Sequence, residues 1–195
     1  MAGKLFIISA PSGAGKTTLV EAVLGRLGWC YPLKKVITYT CKEPRPNEKQ
    51  GEDYHFICKK EFKAKMEQGF FIEWSEAYGC YYGSPRSIID GVEHGFSYML
   101  VIDRVGAEKV RKKYKEAILI WIYTKNLEVL RERLVRRDTE SSEQIECRLV
   151  CARREIAQEL EVPIYNYHIL NDDFERSLRK LEKIMRRELG DQIAL

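Results

Sequence analysis

The chain has 195 residues, 45% of them apolar, with 33 basic and 29 acidic side chains and a net charge of +4. That length suits one compact domain, or a core carrying a small insertion, and is ample to bury a core without disulfide or metal staples. The longest apolar run, Ala117 to Tyr123, falls far short of the roughly 20 residues of a membrane span, and the interleaved charges lack the basic patch of a dedicated nucleic-acid binder.

Met1-Ala2-Gly3-Lys4 has no signal-peptide layout, so a cytoplasmic protein is expected. Cys30, Cys41, Cys58, Cys80, Cys147 and Cys151 form no CxxC pair, and without an export signal they read as free thiols. His55, His94 and His168 are scattered and form no ligand motif.

In chain order, Leu5 to Ile8 is short, apolar and followed by small residues, the pattern of a buried strand. A helix should open near Lys16, with Leu19, Val23 and Leu27 along one stripe. From Leu33 to Asp90 the rhythm changes to Tyr, Thr, Gly, Pro and Lys, with short alternating runs such as Val36–Thr40 and Tyr54–Ile57. This predicts a small mixed β insertion, with a short helix at Glu61 to Gln68, suited to holding a second ligand. Tyr98 to Ile102, Ile118 to Tyr123 and Tyr167 to Leu170 are three further apolar strands. Between and after them lie three helical stripes: Leu127, Leu130 and Leu134; Ile145, Leu149, Ala152, Ile156 and Leu160; and Phe174, Leu178, Leu181 and Met185. Strands alternating with helices predict an α/β fold with a parallel sheet covered on both faces, and the stripes read as its core.

Ala10-Pro11-Ser12-Gly13-Ala14-Gly15-Lys16-Thr17-Thr18 follows a predicted strand and opens a predicted helix, the context a phosphate loop requires. Glycines let successive backbone N–H groups converge on a polyphosphate at a helix N-terminus. Lys16 would reach the β- and γ-phosphates and the Thr17 hydroxyl would ligate Mg²⁺. Ala10 stands where the general pattern has its first glycine. A nucleoside triphosphate is the expected ligand. No Asn-Lys-x-Asp or Thr-Lys-x-Asp signature accompanies the loop, which argues against a regulatory GTPase, and an insertion after the first helix is how a kinase would present an acceptor.

Thr38-Tyr39-Thr40-Cys41-Lys42-Glu43-Pro44-Arg45, then Gly51-Glu52-Asp53-Tyr54-His55-Phe56, Phe71-Ile72-Glu73-Trp74 and Tyr81-Tyr82-Gly83-Ser84 follow the loop in order. With it they resemble the guanylate kinase family of P-loop nucleoside monophosphate kinases, over nearly the whole chain. The resemblance implies one domain: a core of residues 1–32 and 91–195, a helical lid at about 136–148, and a GMP-binding insertion at 33–90. It implies transfer of the γ-phosphoryl group of ATP to GMP or dGMP, with Mg²⁺, in a monomer or small homo-oligomer that engages neither nucleic acid nor membrane. Arg45, Tyr54 and Tyr82 would hold the acceptor phosphate, with Lys42 beside them. Glu73 would accept from guanine N1–H and N2–H₂, with Thr38 and Ser84 as hydroxyl partners. Adenine lacks that donor pair and would leave the carboxylate unpaired. Asp103, at a strand's carboxyl end, would contact the acceptor nucleoside or bind Mg²⁺ through water. Arg133, Arg137 and Arg148 match the family's phosphate-contacting arginines and would, with Lys16 and Arg45, neutralise the transferring group. Asn171 matches a position near the adenine of ATP, completing an ATP site with residues 10–17. Arg131 and Arg136 read as solvated helix-face residues.

Lys42 replaces the first acceptor-site arginine, Val101 the first Asp of an Asp-x-Asp pair and Val105 a Gln; Thr38 for Ser and Cys41 for Thr are milder. The alternatives are a related kinase of another phosphorylated acceptor, of the ribose bisphosphate type, and a non-catalytic guanylate-kinase-like binding module.

Overall fold

In the computed structural model, which describes residues 2–77, 79–136 and 141–190, two sheets divide the chain. The first has five parallel strands in the order β2 (Leu33–Lys35), β7 (Ser97–Val101), β1 (Leu5–Ser9), β8 (Ile118–Tyr123) and β9 (Tyr167–Leu170). Every residue of β1 is buried, as its unbroken apolar run requires of a strand covered on both faces. Helices α1 (Lys16–Leu27), α5 (Leu127–Arg136), α6 (Ser142–Glu161) and α7 (Phe174–Leu189) contribute to an apolar cluster on one face. Residues of α3 (Ile88–Glu93) and α4 (Arg104–Lys113) contribute to a second cluster with Leu5, Ile7, Leu100 and Leu119.

The second sheet is mixed, in the order β4 (Tyr54–Phe56), β3 (Thr38–Thr40), β6 (Cys80–Pro85) and β5 (Phe71–Ala77). Helix α2 (Lys59–Glu67) lies within this unit, and its buried Phe62 stacks on Phe71 and Tyr81 at 4.6 and 5.4 Å between centroids. The α/β fold, with a parallel sheet flanked by helices and a small mixed β insertion, is the one the hydrophobic pattern predicts. The insertion's edge falls later than the change of composition at Leu33, because Leu33–Lys35 pairs in register with Ser97–Met99 in the core sheet. Of the predicted lid, residues 137–140, Arg137 among them, lie outside the described residues.

The helical expectations shift in places. The hydrophobic pattern predicts neither α3, six residues long, nor α4, whose buried residues are only Arg104, Gly106, Ala107 and Val110, too sparse for an apolar stripe. The expected core positions Leu160 and Phe174 are exposed, and next to Leu160 it is Glu159 that is buried. Glu159 accepts from the backbone of Ile164 and Tyr165, meets His168 Nε2 at 2.9 Å and lies 3.5 Å from Arg104 Nε. Arg104 also donates to the carbonyls of Val162 (2.6 Å) and Gln158 (3.3 Å), tying α4 to the end of α6.

Removing one partner of such a pair leaves an uncompensated buried charge. Arg104→Ala should therefore cost about 3 kcal/mol or more in urea unfolding, and distinctly less when introduced into a Glu159→Gln background.

Candidate active site

The carboxyl ends of the core strands lie at one edge, where parallel α/β sheets place their ligands. Ile8 pairs with Val101, Ser9 with Trp121 and Tyr123 with Leu170. The next residues along the chain, Ala10, Asp103 (two residues on), Thr124 and Asn171, open the loops of that edge.

Residues 10–15 pass from β1 to α1 with Gly13 at φ 88° and Gly15 at φ 85°. These left-handed conformations suit glycine. At Gly15 a Cβ would also lie 2.5 Å from Asn171 Nδ2. Ala10, Pro11, Gly13 and Ala14 are buried, Ser12, Gly15 and Lys16 half-buried, and Thr17 is exposed at the helix start. Three predicted residues from distant parts of the chain clasp the loop. Asn171 Nδ2 donates to the Ala14 carbonyl at 2.7 Å, and Arg133 donates to the carbonyls of Ala14 (3.3 Å) and Asn171 (2.9 Å). Arg148 Nη1 donates to Ser12 Oγ at 2.6 Å. Gly13, Gly15, Thr18, Arg133, Arg136 and Asn171 line most of an adjoining cavity of about 430 Å³. Arg136 is thus placed at the site, unlike Arg131, whose guanidinium pairs with exposed Glu146.

The insertion sheet carries Glu73, only 2% exposed. Ser84 Oγ donates to its Oε1 at 2.5 Å, across the register pair Glu73–Ser84. Burial pushes this carboxyl up to about 7; the Ser84 hydrogen bond opposes the rise, Asp103 adds to it, and Lys109 and Lys113 oppose it. Glu73 and Asp103 face each other across Gly106: a Cβ there would lie 3.0 Å from Glu73 Oε2 and 3.2 Å from Asp103 Oδ1. Asp103 Oδ1 caps α4 by accepting from Gly106 N at 2.6 Å, while Oδ2 accepts from Ser75 Oγ at 3.0 Å. Thr38 is buried on β3, the strand adjoining β6.

Tyr54 and Tyr82 face each other edge-on at 6.1 Å. Burial raises both phenols, that of Tyr82 to about 12, and the positive charge of Arg148 opposes each rise. Arg148 thus acts on the phosphate loop through Ser12 and on the tyrosines through its charge. Lys42 is ion-paired to Glu48 and sits 5.0 Å over the Tyr54 ring; Arg45 is largely exposed at the edge of the same cluster. All six cysteines are free.

The hydrophobic and motif patterns did not single out Glu155. Its carboxyl, on α6, is raised to about 7 by burial; Lys16 opposes the rise and Asp103 adds to it. Its only sequence signal is a charged residue on the buried side of a stripe, three positions after Ala152 and one before Ile156.

Comparison with known proteins bears on the whole arrangement. The Guanylate kinase family profile matches residues 2–188. The chain belongs to the guanylate kinase family. The guanylate kinase of Nitrosospira multiformis is 42% identical over 187 residues, 95% of this chain and 86% of that protein. The Shewanella violacea guanylate kinase is 41% identical, over 94% of this chain and 87% of its own. The crystal structure of guanylate kinase from Anaplasma phagocytophilum superposes with a TM-score of 0.79 at 30% identity, covering 98% of this chain and 88% of that one. The parallel sheet flanked by helices, with its second mixed sheet, is therefore the fold of a guanylate kinase.

The raised Glu73 carboxyl has a sign that stability measurements can read. A carboxyl whose folded pKa lies above its unfolded value binds a proton preferentially in the native state, so its contribution falls as pH rises from about 4.5 through about 7. Glu73→Gln removes that penalty. The stability of the variant relative to the parent should rise between pH 5 and pH 8 by roughly 3 kcal/mol at most; a difference that stays constant with pH in chemical unfolding would contradict the assignment.

Proposed function

We propose that the phosphate loop holds Mg-ATP, that the insertion holds GMP, and that the γ-phosphoryl group passes between them to give ADP and GDP. The carrying observation is the pairing of an intact phosphate loop with a desolvated carboxylate, Glu73, on a separate sheet, with Arg148 reaching both the loop and the insertion's tyrosines. Family membership supports the reaction class. Residues from about 36 to 90 serve as the acceptor-binding unit, and the remainder, with β2 of the five-stranded sheet, as the core.

The base-binding assignment follows from donor and acceptor counts. Guanine offers N1–H and N2–H₂ side by side, and one ionised carboxylate accepts both; Glu73 does this with Ser84 at its side and Thr38 on the neighbouring strand. Binding such a ligand favours the charged form that burial disfavours. Adenine supplies no such donors and would leave a buried charge unpaired, an expensive state. Asp103, fixed by Ser75 and by the α4 backbone, would contact the acceptor nucleoside or bind Mg²⁺ through water.

For the phosphates, Arg45, Tyr54 and Tyr82 with Lys42 surround the acceptor group, while Lys16 and the loop N–H groups take the donor β- and γ-phosphates. Arg148 spans the two halves, and Arg133, anchored on the loop carbonyls, adds positive charge beside the donor. By family resemblance Arg137 belongs to this set. Asn171 and the cavity beside it seat the adenosine. The attacking oxygen belongs to a phosphate ionised at neutral pH, so no general base is needed. Catalysis rests on alignment and charge neutralisation. Closure of the insertion and the lid over both nucleotides would exclude water.

Mg²⁺ suits the hard oxygen donors gathered here. The Thr17 hydroxyl would hold it, with Asp103 reaching it through water. Glu155, whose carboxyl is raised chiefly by burial and further by Asp103, with Lys16 opposing, is a group whose charged form a nearby divalent cation would favour. When bound with ATP, the ion supplies charge neutralisation at the β- and γ-phosphates.

The test is a coupled ADP-release assay with Mg-ATP against GMP, dGMP, AMP, UMP and CMP. Turnover confined to GMP and dGMP supports the proposal; turnover with none of them, or with AMP equally, overturns it. Lys16→Ala should lower turnover by about 100-fold or more while leaving the thermal transition near that of the parent.

A further inference from the structure

The acceptor half-site brings two cations of the insertion, Lys42 and Arg45, close to one another. Such an arrangement is held together by Glu48. The Glu48 N–H donates to the Arg45 carbonyl at 2.9 Å, and the Arg45 N–H donates back to Glu48 Oε2 at 2.9 Å. This reciprocal pair fixes the carboxylate to its own turn. The same Oε2 accepts from Lys42 Nζ, and Oε1 lies 3.8 Å from Arg45 Nη1. Glu48 and Lys42 are both largely enclosed, with side chains 15% and 14% exposed. Lys42 Nζ also stands 5.0 Å over the Tyr54 ring and 5.3 Å over that of Phe56.

We infer that Glu48 is a positioning residue for the acceptor's phosphate: it holds the Lys42 ammonium and the Arg45 guanidinium converged on the side where Tyr54 and Tyr82 meet. The inference rests on reading this half-site as the acceptor site. Two electrostatic effects oppose one another here. A carboxylate near a phosphate dianion repels it, whereas a carboxylate between two cations makes their close approach favourable and removes the freedom of a long lysine chain before the ligand arrives.

The geometry favours the second effect. Glu48 Oε2 is committed to a backbone N–H of its own turn, so the carboxylate stands behind the cations as part of the loop; it does not occupy the place of a mobile counter-ion. Lysine at position 42 makes the dependence greater, because an ammonium has no planar fork of its own to fix its direction. Glu48 touches no nucleotide in this scheme and acts only through Lys42 and Arg45.

Glu48→Gln tests the inference, since the amide oxygen still accepts from the Arg45 N–H while the charge and the acceptor oxygen facing Arg45 Nη1 are lost. In the full-length chain, KM for GMP should rise about tenfold with kcat changed less than about twofold and KM for ATP unchanged. Guanosine, which has the base contacts but no phosphate, should inhibit parent and variant equally. Glu48→Asp, with the charge retained at shorter reach, should fall between them. Unchanged GMP affinity would reduce Glu48 to a turn staple, and tighter GMP binding would make it a competitor of the phosphate. Equal weakening of GMP and guanosine would indicate general disturbance of the insertion. Any of these three overturns the inference. A parent enzyme without GMP turnover would instead defeat the functional proposal.

Discussion

The parallel pairing of Leu5–Ser9 with β7 on one side and β8 on the other organises the rest of the molecule. A fully buried central strand has to satisfy its backbone polar groups within the sheet, and parallel neighbours can do so only if each connection crosses back over a face. All strands then point the same way, and their carboxyl ends open together. That is why a loop at residues 10–15, a carboxylate at 103 and an amide at 171 share one edge despite their separation in the chain. The clasp of Asn171 and Arg133 on the Ala14 carbonyl is a consequence of that strand order.

The insertion answers a different physical demand. Its mixed sheet lowers Glu73 into a dry position, where ionisation is disfavoured and Ser84 alone donates to it directly among the described residues. A carboxylate kept this way is a poor contributor to stability and a sharp discriminator of ligands, since only a partner with matching N–H donors makes its charge favourable. Glu155, raised in the same direction beside Lys16, repeats the pattern on the donor side.

How much of this was legible beforehand depended on whether the signal was local. The phosphate loop, the strands at Ile118–Tyr123 and Tyr167–Leu170, and the Lys16 helix start could all be read from contiguous residues, and the structure has them at those positions. The ordered motifs from Thr38 to Ser84 led to the family. Glu48 and Glu155 escaped because their meaning comes from partners across a turn or a whole domain: Glu48 lies in a loop with no periodicity, and Glu155 is a charge among the apolar positions of a helix stripe. Leu160 misled for the converse reason. The 3.6-residue stripe ran on through it, but Arg104 and His168 draw Glu159 inward and rotate the leucine to solvent. Of the two departures from the family pattern near Asp103, Val101 packs against the core cluster and Val105 is exposed, so neither substitutes for the polar group it replaces.

The central claim is that Glu73 is a buried carboxylate held in reserve for a guanine. The measurement that addresses it directly is a ¹³C NMR titration of the Glu73 carboxyl, assigned through Glu73→Gln, with and without GMP. The account predicts a titration near 7 in the free protein and a shift to markedly lower pH on saturation with GMP, with AMP leaving it in place. A carboxyl that titrates at the same pH with and without GMP would contradict it.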